Sequence, residues 1–174
     1  MKKRWICLFV ENEIGVLARI AGLFSAKAYN LESLTVGRTE DEKVSRMTIS
    51  LTGDDKTFEQ VKKQLNRCVE VIKVVDYTDR AVYRKELMYV KISGCSGEEI
   101  TDLFRISRVT GTAIADYTRS CVLLESVRTQ EQNEELLARL NRDYSGRIEI
   151  ARGGSVAVEA AGRYSTEKIG RAHV

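Results

Sequence analysis

The stretch Leu8-Phe9-Val10-Glu11-Asn12-Glu13-Ile14-Gly15-Val16-Leu17, carried by a helix-like run into Ala28-Tyr29-Asn30-Leu31-Glu32-Ser33-Leu34-Thr35-Val36, decides how this chain reads. Trp5 to Val10 clusters apolar residues like a strand, and Gly15 marks a turn. Val16, Leu17, Ile20, Leu23 and Phe24 then follow the spacing of an amphipathic helix. Leu31 to Val36 is a second strand. Met47, Ile49 and Leu51 alternate with Thr48 and Ser50 as a third. Gly53-Asp54-Asp55 predicts a turn and N-cap before Phe58, Val61, Leu65 and Cys68, which share one helical face. Val69 to Val75 closes the unit as a fourth strand, giving the order βαββαβ.

Working outward, the same order returns. Leu87 to Ile92 reads as a strand, and Ile100, Leu103, Phe104 and Ser107 form a helical face that Gly111 ends. Thr112 to Asp116 and Cys121 to Val127 are strands, Leu136, Leu137, Leu140 and Tyr144 a helical face, and Arg147 to Ala151 the last strand. Gln64-Leu65-Asn66-Arg67 is echoed by Arg139-Leu140-Asn141-Arg142 at the same place in the unit. The expected fold is α+β: two ferredoxin-like units, each an antiparallel sheet with two helices on one face. The units span residues 1–76 and 87–164, with a polar linker at 77–86 and a disordered tail at 165–174. Such sheets leave edge strands open, and pairing with another subunit would cover them.

Bulk composition removes several function classes. A formal charge of +3 over 174 residues, with acids and bases interleaved, gives no footprint for nucleic acid. The third strand, Arg46-Met47-Thr48-Ile49-Ser50-Leu51, also lacks the stacking aromatics that an RNA-binding sheet of this topology needs. Cys7, Cys68, Cys95 and Cys121 are far apart without C-x-x-C spacing, which argues against a disulfide framework or zinc site. The single histidine, His173, lies in the tail, so histidine-based metal or triad chemistry has no basis. Apolar runs are strand-sized, with neither a signal peptide nor a spanning segment, so the expected location is cytoplasmic, or an organelle matrix after removal of a transit peptide. No function is assigned to Arg171-Ala172-His173-Val174.

The two first helices start differently. The second unit's helix opens Gly97-Glu98-Glu99, whose carboxylates complement the helix dipole and would repel an anion. The first unit's helix opens Gly15-Val16-Leu17-Ala18 with no acid, leaving backbone N–H groups for an outside carboxylate. Asn12 before this helix and Asn30 at the next strand can offer amide groups to a zwitterion. Read singly, Asn12 is equally a turn or capping residue, and Gly15 a conformational requirement. Glu11 and Glu13 lie nearby, and the turn could aim them outward.

Residues 11–24, together with Tyr29-Asn30-Leu31-Glu32-Ser33-Leu34-Thr35-Val36 and Ser45-Arg46-Met47-Thr48-Ile49, resemble the small regulatory subunit of acetohydroxyacid synthase (acetolactate synthase). The resemblance covers the chain to about Arg163 and is strongest over residues 8–50; Arg152-Gly153-Gly154 looks like the family's basic-small-Gly segment. It implies an N-terminal ACT domain, which binds the effector and dimerises, and a ferredoxin-like C-terminal domain. It further implies a non-catalytic chain that holds no cofactor. Such a chain activates a large catalytic subunit using thiamine diphosphate, magnesium and FAD, and confers feedback inhibition by valine, sometimes leucine or isoleucine. Carried onto this chain, Asn12, Gly15, Val16, Leu17, Asn30 and Leu31 would contact the effector at the interface of two ACT domains. Ala28 stands where the family often has glycine. Other classes stay open on the residues alone. One is an ACT sensor attached to a different biosynthetic enzyme. Another is an enzyme in its own right, although no serine, thiol or carboxylate comes with an activating partner.

Overall fold

A computed structural model describes residues 2–26 and 31–161; Ala28, Asn30 and the tail expected at 165–174 lie outside these. Twelve elements follow in order: β1 (Lys2–Glu11), α1 (Val16–Ala26), β2 (Leu31–Arg38), β3 (Val44–Gly53), α2 (Asp55–Leu65), β4 (Val71–Asp76), β5 (Val82–Ser93), α3 (Gly97–Thr110), β6 (Ala113–Tyr117), β7 (Cys121–Arg128), α4 (Gln130–Tyr144) and β8 (Ile148–Glu159). They form two four-stranded antiparallel sheets, ordered β2-β3-β1-β4 and β6-β7-β5-β8. The α+β fold with a repeated βαββαβ order is therefore as the sequence predicts.

Each sheet presents alternate residues to its own helix pair. Ile6, Leu8 and Val10 of β1 and Met47, Ile49 and Leu51 of β3 bury against Val16, Ile20 and Phe24 of α1 and Phe58, Val61 and Leu65 of α2. Met88, Val90 and Ile92 of β5 do the same with Leu103, Ile106, Leu136, Leu140 and Tyr144. Truncating such a side chain to alanine costs about 2–5 kcal/mol. Local signals set the helix ends. Asp54 caps α2 by accepting from the Thr57 N–H at 2.7 Å, and Gly111 ends α3 in the left-handed region at φ 71°.

The opposite face of the first sheet is not open to water. Trp5, Cys7, Val75 and Tyr77 form a third core with Ala157 of β8, so β1 is buried on both faces. The Arg84 guanidinium lies 4.4 Å from the centre of the Trp5 ring, within cation–π range. Arg46 donates to Tyr77 Oη at 2.8 Å and to Cys7 Sγ at 3.2 Å beneath this layer. The cover is a two-stranded ribbon formed by the long ends of β5 and β8. Two expectations are corrected here. The polar stretch 77–86 is not linker throughout, because Tyr77 is buried and β5 begins at Val82; the last strand runs on to Glu159 rather than stopping at Ala151. Polar side chains hid the strand because its outward face, Tyr83 and Lys85, is exposed.

Where the ribbon leaves its own sheet, β8 carries one extra residue. Glu86 pairs with Ser155 and Met88 with Arg152, so Gly153 and Gly154 face a single β5 residue, a β-bulge within the strand where the sequence suggested a turn after it. Gly154 has φ +76°, and a Cβ there would sit 3.0 Å from Thr35 Cγ2 of β2. Thr35 Oγ1 donates to the Ser155 carbonyl at 2.9 Å, tying the same strand to the bulge. Behind it, the buried Glu86 carboxylate accepts from Arg152 at 2.6 Å and from Asn133 at 2.9 Å, while Ser126 donates to Asn133 at 2.6 Å. A buried carboxylate so surrounded is held in place, since removing Arg152 would leave its charge unmatched and removing Asn133 would leave a buried hydrogen bond unmade.

Gly154→Ala should therefore destabilise the protein by about 1–3 kcal/mol through backbone strain and the clash with Thr35. Gly153→Ala, whose added carbon would meet only ordinary contact at 3.6 Å, should cost less. Urea unfolding of the two variants checks the difference. In the second unit, the Arg147 guanidinium, with the Ser96 N–H, holds the Glu99 carboxyl down to about 2. A depressed carboxyl stabilises the fold above its unfolded value and loses that effect as pH falls towards 2. Glu99→Gln should lower the melting temperature at pH 7, with the gap to wild type closing as pH drops through 4 to 2.

Candidate functional site

The turn before α1 is built for exposure. Gly15 has φ +89°, a conformation that L side chains rarely adopt, and a Cβ placed on it would meet no atom within 4 Å. The following Val16 is buried at 5 % exposure and anchors the helix start in the first core. The Val16 N–H reaches back to the Glu13 carbonyl at 3.4 Å, and the Arg19 N–H to the Gly15 carbonyl at 3.0 Å. Between them, the N–H groups of Leu17 and Ala18 find no acceptor among the described residues. No acid stands in the first turn. Two unpaired donors at the positive end of the helix dipole suit a carboxylate.

The α3 start provides the contrast. Ser96 and Glu99 form a capping box there, and Glu99 is clamped by Arg147 at 2.7 Å. Ser96 accepts the Glu99 N–H at 3.2 Å, and Glu98 and Glu99 supply the first-turn acids that α1 lacks, so the dipole of α3 is already complemented from within the chain.

Asn12 stands at the mouth with its amide partly occupied. Its Nδ2 donates to the Glu42 carbonyl at 2.8 Å, and its Oδ1 accepts from Ser45 Oγ at 2.9 Å. The amide thus ties the β2–β3 connection to the turn and keeps one N–H for another acceptor. Glu11 and Glu13 are both exposed. Arg19, one turn into the helix, pairs with Glu70 in the turn just before β4. Leu31 opens β2 and packs its side chain partly into the first core, opposite Leu51. Asn12, Gly15, Val16 and Leu17 are thus brought together, Leu31 lies at the far end of the segment following α1, and Asn30 is outside the described residues.

Some residues of the mouth were not singled out from the sequence. Ile14 is fully exposed beside the half-exposed Leu17, an apolar pair flanking the free N–H groups. Its signal was an isoleucine inside an otherwise polar turn. Glu42 and Ser45, which hold Asn12, gave no signal, because their contact depends on strand register. Among the described residues no three His, Cys, Asp or Glu side chains gather to hold a metal, and no helix is long and apolar enough to cross a membrane.

Comparison with known proteins adds to this geometry. Residues 6–73 match the model of the AHAS small subunit-like ACT domain, and residues 85–161 match that of the small subunit of acetolactate synthase. The chain is 42 % identical to the probable acetolactate synthase small subunit of Archaeoglobus fulgidus over 156 residues, covering 90 % of this chain and 96 % of that protein. It is 39 % identical to the isozyme 3 small subunit of Salmonella typhimurium over 161 residues, covering 90 % and 94 % of the two chains. The crystal structure of the acetolactate synthase small subunit from Thermotoga maritima superposes with a TM-score of 0.81 at 29 % identity, covering 92 % of this chain and 98 % of that one. Two sheets with the same element order, joined by one strand ribbon and matched along nearly their whole length, place this chain in the acetolactate synthase small-subunit family, with an N-terminal ACT domain and the family's own C-terminal domain.

Proposed function

We propose that this chain is the non-catalytic, regulatory half of a cytoplasmic acetolactate synthase: it activates a large catalytic subunit and makes it sensitive to valine, with leucine or isoleucine as further effectors. Thiamine diphosphate, magnesium and FAD belong to that large subunit. The observation that carries the reading is the acid-free start of α1, where Gly15 exposes the unpaired N–H groups of Leu17 and Ala18. The valine carboxylate sits on those donors. Asn12, with its remaining N–H, and Asn30 take the polar end, and the exposed Ile14 and Leu17 flank the aliphatic tail.

Residues 1–76 act as the effector-binding and dimerising unit. The open edge of β2 in the first sheet is the place where a second copy continues the sheet, which sets two mouths near one interface. Inhibition then follows if valine binds one arrangement of the dimer more tightly than another, since equal affinity for both would shift nothing. Discrimination among the three branched-chain amino acids stays modest, as one methylene in an apolar pocket is worth about 1–3 kcal/mol.

Gly15→Asp places a negative charge where the carboxylate binds. Two such charges ~4 Å apart at an effective dielectric near 20 repel by about 4 kcal/mol, so valine inhibition should be lost while activation of the large subunit persists. Gly15→Asn, neutral and tolerant of the left-handed backbone, separates charge from strain. Retained valine sensitivity in the aspartate variant would place the effector elsewhere. Asn12→Ala and Asn30→Ala should each weaken inhibition by about 2–10-fold, the loss of one polar contact. Titration calorimetry with valine, followed by assays with the large subunit, reads each of these effects.

A further inference from the structure

The ribbon that covers the first sheet has a second face. Its outward residues include Tyr83 at 68 % exposure, Val156 at 63 % and Val158 at 52 %, and on the same side of β5 and β7 come Leu87 at 41 % and Val127 at 56 %. Cross-strand register makes this one surface, because Tyr83 pairs with Val158, Lys85 with Val156, and Leu87 with Val127. A strand pair whose inner face is already buried would ordinarily turn polar residues to water. Contiguous exposed apolar side chains of this kind mark a site of association.

The surface is grooved and carries one sign of charge. A cleft of about 360 Å³ runs between the ribbon and the β2–β3 side of the first sheet, with Arg38, Arg46 and Lys85 among its walls and no carboxylate. A neighbouring cleft of about 500 Å³ shares Lys85 and Val156 and extends the strip to Leu87 and Val127. Its one carboxylate, Glu86, is already paired with Arg152 at 2.6 Å. Arg38 and Lys85 form no ion pair with any described residue, while Arg46 is engaged by Tyr77 and Cys7.

We infer that this ribbon face is the docking surface for the large catalytic subunit, which meets it with an apolar segment flanked by carboxylates; the inference rests on the function proposed above. The strip spans two clefts across three strands, which suits a polypeptide better than a free amino acid. Two copies of the chain meeting here face to face would bring Arg38 and Lys85 against their own kind, which disfavours self-association. An acidic partner instead satisfies both cations while covering the valines and Tyr83. The surface also touches β2 through Thr35 and the bulge at Gly154, so the partner rests on the strand that follows the effector segment.

The test uses the full chain with its purified large subunit. Tyr83→Ser/Val158→Ser removes apolar cover from outward-facing positions, and Lys85→Glu reverses charge on the ribbon itself, away from the β2 edge. Both should weaken the complex at least tenfold by titration and lower activation of the large subunit in parallel, with wild-type affinity falling as salt rises. Valine binding by each variant alone, and its mass by light scattering, should match wild type. Variants that bind and activate normally would overturn the inference, as would a fall in the variant's own mass, which would make this face a contact between copies. Failure of the wild-type chain to bind the large subunit at all would instead overturn the proposed function beneath it.

Discussion

The arrangement depends on one strand being buried twice. β1 carries Ile6, Leu8 and Val10 into the helix layer and Trp5 and Cys7 into the layer beneath the β5–β8 ribbon. A four-stranded sheet with helices on one side would normally expose its other face. Here the second unit supplies the cover, so the two βαββαβ repeats form a stacked pair. The Arg84–Trp5 contact and the Thr35–Ser155 hydrogen bond fix the ribbon's position across the sheet. The glycine bulge permits the ribbon to approach β2, since a side chain at Gly154 would occupy the space of Thr35.

This geometry makes the second unit a support for β2. β2 is both an edge strand of the first sheet and the strand next in the chain after α1, and the bulge of β8 rests upon it. The bulge is in turn held by the Glu86–Arg152–Asn133–Ser126 network, which reaches α4 through Asn133. A shift in β2 therefore meets packed, hydrogen-bonded neighbours. Whether two ligands are coupled through it is a matter of their differential affinity for two arrangements.

The helix starts show how one fold finishes equivalent positions differently. Both α1 and α3 follow a strand and a glycine-bearing turn. In α3, Ser96 accepts the Glu99 N–H, and the first-turn acids Glu98 and Glu99 complement the dipole from within the chain. In α1 no acid stands in the first turn, and the N–H groups of Leu17 and Ala18 find no acceptor among the described residues. The difference lies in a few side chains and is visible in the sequence because an N-terminal turn is local.

Locality also divides what the sequence determined from what the tertiary structure decided. Hydrophobic spacing and caps such as Asp54 and Gly111 gave the element order, because strand and helix periods act over a few residues. The same holds for the Gly15 turn and the acid-free helix after it. What neither period could register was the ribbon. Val82 to Glu86 look like linker because their outward face is exposed, and Arg152-Gly153-Gly154 look like a turn because a bulge uses the same residues. The placing of Ser45 and Glu42 against Asn12, of Ala157 over Cys7, and of Gly154 against Thr35 joins residues distant in the chain. Strand register and the docking of one sheet on another set those contacts, and both are properties of the packed whole.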